Sequence, residues 1–199
     1  MSDYTVVAAV SEALRLILWK AYSTDPTTLQ IVGAESAIAL RNPTETARDS
    51  ANRLSLWLYQ ITENEFLKNQ PALRTADPQV DKFPPLALNF NYLITPFATS
   101  GDGDHLLLGK TMQVLYDNST IILRDLANNV AEELRVIMCN LNLEQITRIW
   151  EALQQPYRLS ICYQIRVTEI DSRRSSTNAR VIERSTFSNL GLQPTGSAA

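Results

Sequence analysis

Residues 158–170 read Arg-Leu-Ser-Ile-Cys-Tyr-Gln-Ile-Arg-Val-Thr-Glu-Ile. Leu159, Ile161, Tyr163, Ile165 and Val167 alternate with Ser160, Cys162, Gln164, Arg166 and Thr168. Successive side chains of a strand point to opposite faces, so this period of two predicts one long strand with a buried and a polar face. Just upstream, in residues 143–153, the period changes. Ile146, Ile149, Trp150 and Leu153 recur at helical spacing, and Pro156 closes that helix.

The same two periods organise the rest of the chain. In residues 86–95, Leu86, Leu88, Phe90, Tyr92 and Ile94 share one face, with Ala87, Asn89, Asn91 and Thr95 on the other. In residues 54–62, Leu54, Leu56 and Leu58 alternate with Trp57, Tyr59 and Ile61, so both faces are apolar and the strand reads as central and doubly covered. Shorter strands are predicted at 29–32 and 134–139. Helices are predicted at 4–22, with Val6, Val10, Ala13, Leu14 and Ile17 on one side and Asp25-Pro26 as the stop, and at 104–117, with Leu108, Met112 and Leu115 as its buried stripe. A Gly-Asp-Gly-Asp turn at 101–104 leads into the latter, and a short helical segment is expected near 120–128.

Residues 41–53 read as a loop. Residues 63–85 read as a long connection carrying Pro71, Pro78, Pro84 and Pro85, a semi-rigid contact loop expected to face a partner. Residues 171–180 have the composition of a flexible linker. The fold class is therefore α+β: a single mixed or antiparallel sheet of about five strands packed with three or four helices. Strands and helices do not alternate regularly, which disfavours a doubly wound sheet. Residues 1–171 read as one domain and 172–199 as a flexible C-terminal arm.

Composition narrows the function. Of 199 residues, 45% are hydrophobic and 20% charged, enough for a sizeable core. The net charge of −3 lacks the basic excess that drives phosphate binding, so no nucleic-acid partner is expected. Two cysteines are too few for a disulfide-stapled scaffold, and one histidine excludes a Cys/His zinc cluster. Apolar runs are too short to span a bilayer, and the opening Met1-Ser2-Asp3 does not begin a signal peptide, so the expectation is a cytoplasmic protein without direct membrane insertion.

Candidate chemistry is sparse. There is no Gly-x-Gly-x-x-Gly, P-loop or Gly-x-Ser-x-Gly motif. His105 near Asp102 and Asp104 has the ingredients of an acid/base pair, but reads as the first turn of a helix with Asp104 as its cap. Asp102 and Asp104 form half a calcium loop without its closing glutamate. Glu63, Glu65, Asp77 and Asp81 could supply a hydrolase carboxylate pair, yet they sit in a polar loop with no apolar context to raise a pKa. Cys139 and Cys162 fall in predicted strands and read as packing residues. Trp19, Trp57 and Trp150 read as core. No catalytic, metal or cofactor site is assigned, and the chain reads as an interaction module rather than an enzyme. In the tail, Arg173, Arg174, Arg180 and Arg184 outnumber Asp171 and Glu183, and residues 180–190 are more β-prone than a linker. An extended arm adding a strand to a partner's sheet is one reading of them.

Five stretches, at 6–15, 56–64, 86–95, 105–115 and 150–167, resemble in order and content the N-terminal domain of the cap, or tail-terminator, proteins of contractile injection systems. The most specific is Trp150-Glu151-Ala152-Leu153-Gln154-Gln155-Pro156-Tyr157-Arg158-Leu159-Ser160 running into the alternating strand. The resemblance covers residues 4–171. It implies a structural protein with no cofactor: a ring, expected to be a homohexamer, on the distal end of the inner tube and sheath, which ends tube growth and holds the extended sheath. Its implied partners are other copies of itself, the inner tube protein and the sheath protein, within an injection particle assembled in the cytoplasm. The alternative is a tail-completion or connector protein of a true phage. Candidate interface residues are Arg166 on the polar strand face and, in the arm, Arg180, Val181, Ile182, Arg184 and Phe187.

Overall fold

A computed structural model of the chain describes residues 4–67, 73–74, 80–82, 84–125, 130–170 and 175–177. In chain order it contains α1 (Val6–Thr24), α2 (Pro26–Val32), a 3-10 turn (Glu35–Ala37), β1 (Ile38–Ala39), α3 (Pro43–Thr46), β2 (Leu54–Glu63), β3 (Leu73–Arg74), β4 (Val80–Lys82), β5 (Leu86–Pro96), α4 (Gly101–Asp117), β6 (Thr120–Asp125), β7 (Val130–Met138), α5 (Leu143–Ala152), β8 (Ile161–Ile170) and β9 (Ser175–Thr177). The main sheet has the strand order β1-β2-β5-β8-β7-β6. Only the β1–β2 pair is parallel; the others are antiparallel. A second sheet, β3-β4-β9, is joined by the pairing of Val80 with Thr177.

The α+β class is as expected, and β5 and β8, the two clearest alternating segments, lie side by side at the centre of the main sheet. One face of that sheet presents Leu54, Leu56, Leu88, Phe90, Tyr92, Ile94, Leu134, Val136, Tyr163 and Ile165 to α1 and α4. Helix α1 answers with Val6, Val10, Leu14, Leu18 and Tyr22, a strict four-residue spacing that puts every buried side chain on one stripe. At about 1.5–3 kcal/mol for each fully buried large apolar side chain, that stripe alone contributes on the order of 10 kcal/mol of gross burial. The opposite face is covered over part of its length by α5. There Ile146 and Trp150 pack on Leu93, flanked by Trp57 and Tyr59.

That second layer explains several departures from the expected faces. Ala87, Asn91, Leu93 and Thr95 are buried although they lie on the face of β5 predicted to be polar. Cys162 and Ser160 are likewise buried, while Leu159 precedes the strand and is exposed. The buried polar groups are paired: Gln164 Nε2 donates to Asn91 Oδ1 at 3.1 Å, and Thr95 Oγ1 donates to Ser160 Oγ at 3.2 Å.

Other differences follow from end signals. Residues 29–32, expected to be a strand, belong to α2: Asp25 accepts hydrogen bonds from the Thr27 and Thr28 backbone N–H groups, Pro26 occupies the first turn, and Gly33 closes the helix at φ 75°. Asp25-Pro26 is thus a start as well as a stop. The Gly-Asp-Gly-Asp stretch is the first turn of α4, not a turn before it, and its cap is Ser100, whose hydroxyl accepts from the Gly103 N–H. Met112 is exposed; Leu107, Leu108, Thr111, Val114 and Leu115 form the buried stripe. Residues 120–125 form the outer strand β6 rather than a helix. The loop at 41–53 contains the single turn α3, capped by Asn42. The connection at 63–85 holds β3 and β4, and the stretch 171–180 holds β9, so there are two sheets rather than one.

Candidate protein-interaction surfaces

Among the described residues, His105 and the candidate acids form no cluster. His105 is exposed on α4, and Asp104 does not face it. One oxygen of Asp104 instead accepts from the Ala98 N–H at 2.7 Å and the other from Arg158 Nη2 at 2.8 Å, so this residue braces the β5–α4 corner against the segment before β8. Glu63 and Glu65 are exposed, Asp77 lies outside the described residues, and Asp81 is placed by its backbone alone in β4. Among the described residues no group of three or more potential metal ligands occurs, and no helix is long and apolar enough to cross a membrane.

The two cysteines are brought together. The Cys139 N–H donates to the Cys162 carbonyl at 2.8 Å, continuing the β7–β8 ladder beyond Met138 and Tyr163. Tyr59 Oη lies 3.3 Å from Cys162 Sγ. The hydrogen bond between the thiols, with burial, pushes Cys139 up; that same bond draws Cys162 down against its burial, helped by Tyr59. Tyr59 is itself pushed up, chiefly by burial. Both cysteines are free thiols.

Arg166 is exposed on β8, and its Nε donates to Gln164 Oε1 at 2.6 Å. Arg135 sits opposite it on β7. Both cations are solvated, and Arg135 lies 3.9 Å from the Glu133 carboxylate on its own strand. Arg180, Val181, Ile182, Arg184 and Phe187 lie outside the described residues.

The structure shows two surfaces that sequence reasoning missed. The first is an apolar groove where the second half of α4 meets β7 and β8, lined by Met112, Leu115, Tyr116, Val136, Met138 and Tyr163. Tyr116 is 82% and Met138 53% exposed, so a large apolar area meets water here. Met112 was expected to face the core, and the helical period does point there, but it falls one position off the buried stripe. The second is Phe66, 90% exposed on the bend after β2, a knob with almost no cover of its own. Contiguous exposed apolar surface marks interaction sites in folded proteins, which applies to the groove at Tyr116 and Met138; Phe66 stands singly.

Residues 9–184 match the family model described as the Pvc16 N-terminal domain. Two solved structures are similar. One is the sheath/tube terminator, in its extended state, of PVC, an extracellular contractile injection system: 16% identity, TM-score 0.61, covering 97% of this chain and 67% of that one. The other is the tube-terminating cap of the anti-feeding prophage: 22% identity, TM-score 0.54, covering 94% of this chain and 62% of that one. The chain therefore spans about two thirds of the length of either. No curated protein sequence matches it.

Proposed function

The chain belongs to the Pvc16 N-terminal domain family, and from that premise we propose that it is a structural cap of a contractile injection system, ending the inner tube and the sheath. The observation that carries this reading is a fold shared along 97% of the chain with a sheath/tube terminator. A cap needs surfaces for association, and the exposed apolar residues at Tyr116 and Phe66 are candidates for them.

The proposed assembly is a homohexameric ring seated on the tube end, built in the cytoplasm as part of the particle. A ring joins two unlike patches head to tail, and its closure fixes the number of copies in it. The groove lined by Tyr116 and Met138 and the knob at Phe66 are an unlike pair of apolar patches, and we assign them to the contact between neighbouring copies. Arg166, with Arg135 beside it, is assigned to an acidic partner at the same level of the particle. A surface ion pair is worth only about 0–1 kcal/mol, so cohesion rests on the apolar patches. The sheath contact is assigned to residues 172–199 as an arm, with Arg180, Val181, Ile182, Arg184 and Phe187 as its strand-adding segment.

The test is electron microscopy of the purified chain with and without purified tube and sheath. Sixfold rings, bound at one end only of the assembled particle, are expected. Binding along the sides, or failure to bind tube ends, would refute the reading. Removing residues 178–199 should release the sheath and leave the ring.

A further inference from the structure

Cys139 and Cys162 stand directly opposite one another where the β7–β8 ladder ends. Arg135, Val136, Ile137 and Met138 pair in turn with Arg166, Ile165, Gln164 and Tyr163, and one step further the Cys139 N–H reaches the Cys162 carbonyl at 2.8 Å. Opposed residues of an antiparallel pair point to the same face of the sheet. Cys162 is also paired with Leu93, on which α5 packs, so both thiols lie on the face that carries α5. Opposed residues joined through their backbones have Cα atoms about 5.5 Å apart, inside the range of about 4.4–6.8 Å that a disulfide bridges. The two thiols already share a hydrogen bond.

The pair is unequal in access. Cys162 is 3% exposed, with Tyr59 Oη 3.3 Å from its sulfur. Cys139 is half-buried and is the thiol that an outside reagent meets first. Residues 139–142 belong to neither helix nor strand, so the backbone at Cys139 is able to make the small shift that bonding needs.

We propose that Cys139 and Cys162 form a reversible disulfide by exchange with a small-molecule disulfide, fastening together the two ends of the segment that carries α5. In the first step the Cys139 thiolate attacks one sulfur of the reagent, whose S–S bond breaks and releases one thiolate. In the second the Cys162 thiolate attacks the Cys139 sulfur of the mixed disulfide, the protein S–S bond forms and the second thiolate leaves. Two protein thiols lose two protons and two electrons, and the reagent is reduced to two thiols. The inference rests on the opposed cysteines and not on the capping role.

The full chain is brought to equilibrium in glutathione buffers of graded oxidised-to-reduced ratio, trapped with acid and read by mass spectrometry. The expected product has lost two hydrogens, carries no glutathione and joins the tryptic peptides that hold Cys139 and Cys162. At one fixed ratio the folded chain should hold at least tenfold more linked over reduced form than the same chain in urea, where chain connectivity alone brings the thiols together. By linkage the same factor enters stability, so the linked form should melt about 3–6 °C above the reduced one. Cys162→Ala should accumulate a glutathione adduct at Cys139, and Cys139→Ala should leave Cys162 unmodified. The proposal is overturned if the wild-type chain stops at the mixed disulfide, if disulfide-linked dimers form instead, or if the folded chain is linked no more readily than the chain in urea. An adduct at Cys162 in Cys139→Ala, formed as readily as that at Cys139 in Cys162→Ala, would overturn the order of attack.

Discussion

The phenolic oxygen of Tyr22 lies 2.6 Å from the Thr111 hydroxyl, tying the last turn of α1 to the middle of α4. Both residues are fully buried, and Thr111 passes the chain of bonds on by donating to the Leu107 carbonyl at 2.6 Å. The two helices that cover one face of the sheet are therefore joined by polar contact as well as by packing.

Burial pushes the Tyr22 phenol far up despite its bond to Thr111, and pushes Tyr92 up to about 12. A folded-state pKa above the unfolded value gives stability that is complete below pH 10 and is lost as pH rises toward the folded value. For Tyr92 the loss amounts to about 2–3 kcal/mol across pH 10–12. Alkaline titration followed by circular dichroism and by tyrosinate absorbance should show these two phenols ionising together with unfolding. Their ionisation in a chain that stays folded would contradict it.

Helix α5 begins with a reciprocal cap: Gln145 N–H donates to Asn142 Oδ1 at 2.8 Å, and Asn142 N–H donates to Gln145 Oε1 at 3.0 Å. Asn142→Ala should cost about 1 kcal/mol, seen as a melting temperature lower by about 2–4 °C. Because α5 seats Trp150, the variant's tryptophan emission should shift to the red.

The thiol pair should be slow to alkylate. Cys139 is the more accessible but is held protonated, whereas Cys162 is drawn toward thiolate but buried. Labelling with iodoacetamide near neutral pH, read by mass spectrometry, should be slower at both positions than for a free cysteine, since the thiolate is the nucleophile. Rapid labelling of Cys162 in the folded chain would show that the region around Tyr59 opens readily.

Tyr116→Asp places a charge in the groove beside Met138 without touching the core. Formation of the proposed ring should fall at least tenfold in sedimentation or light scattering, with the melting temperature unchanged within about 2 °C. Phe66→Asp should do the same, and the double variant should be no worse than either single one if the two patches meet each other.

The strands β5 and β8 were legible because apolar residues recur at every second position along them, and α1 and α5 because their apolar spacing is regular. The misreadings come from signals with two meanings. Asp25-Pro26 both ends α1 and starts α2, and Ile121 to Arg124 is apolar enough to suit either state until β7 supplies a pairing partner. Strand β4 is only three residues long, and of its two partners the two-residue β3 is as short and Ser175–Thr177 lies far along the chain. The same holds for the surfaces. Arg166 was legible as an exposed cation, but the groove at Tyr116 exists only once α4, β7 and β8 are folded together.

Beyond its two-residue pairing with β1, the outer side of β2 meets no strand among the described residues, and its register slips at Tyr59, between Leu58 and Gln60. A straight open edge would be a template on which copy after copy could dock in line, whereas a kinked one offers no continuous ladder to extend. That irregularity favours contacts of fixed number over filaments. On the reading proposed above, the slip at Tyr59 makes this edge a poor template for copies adding strand to strand.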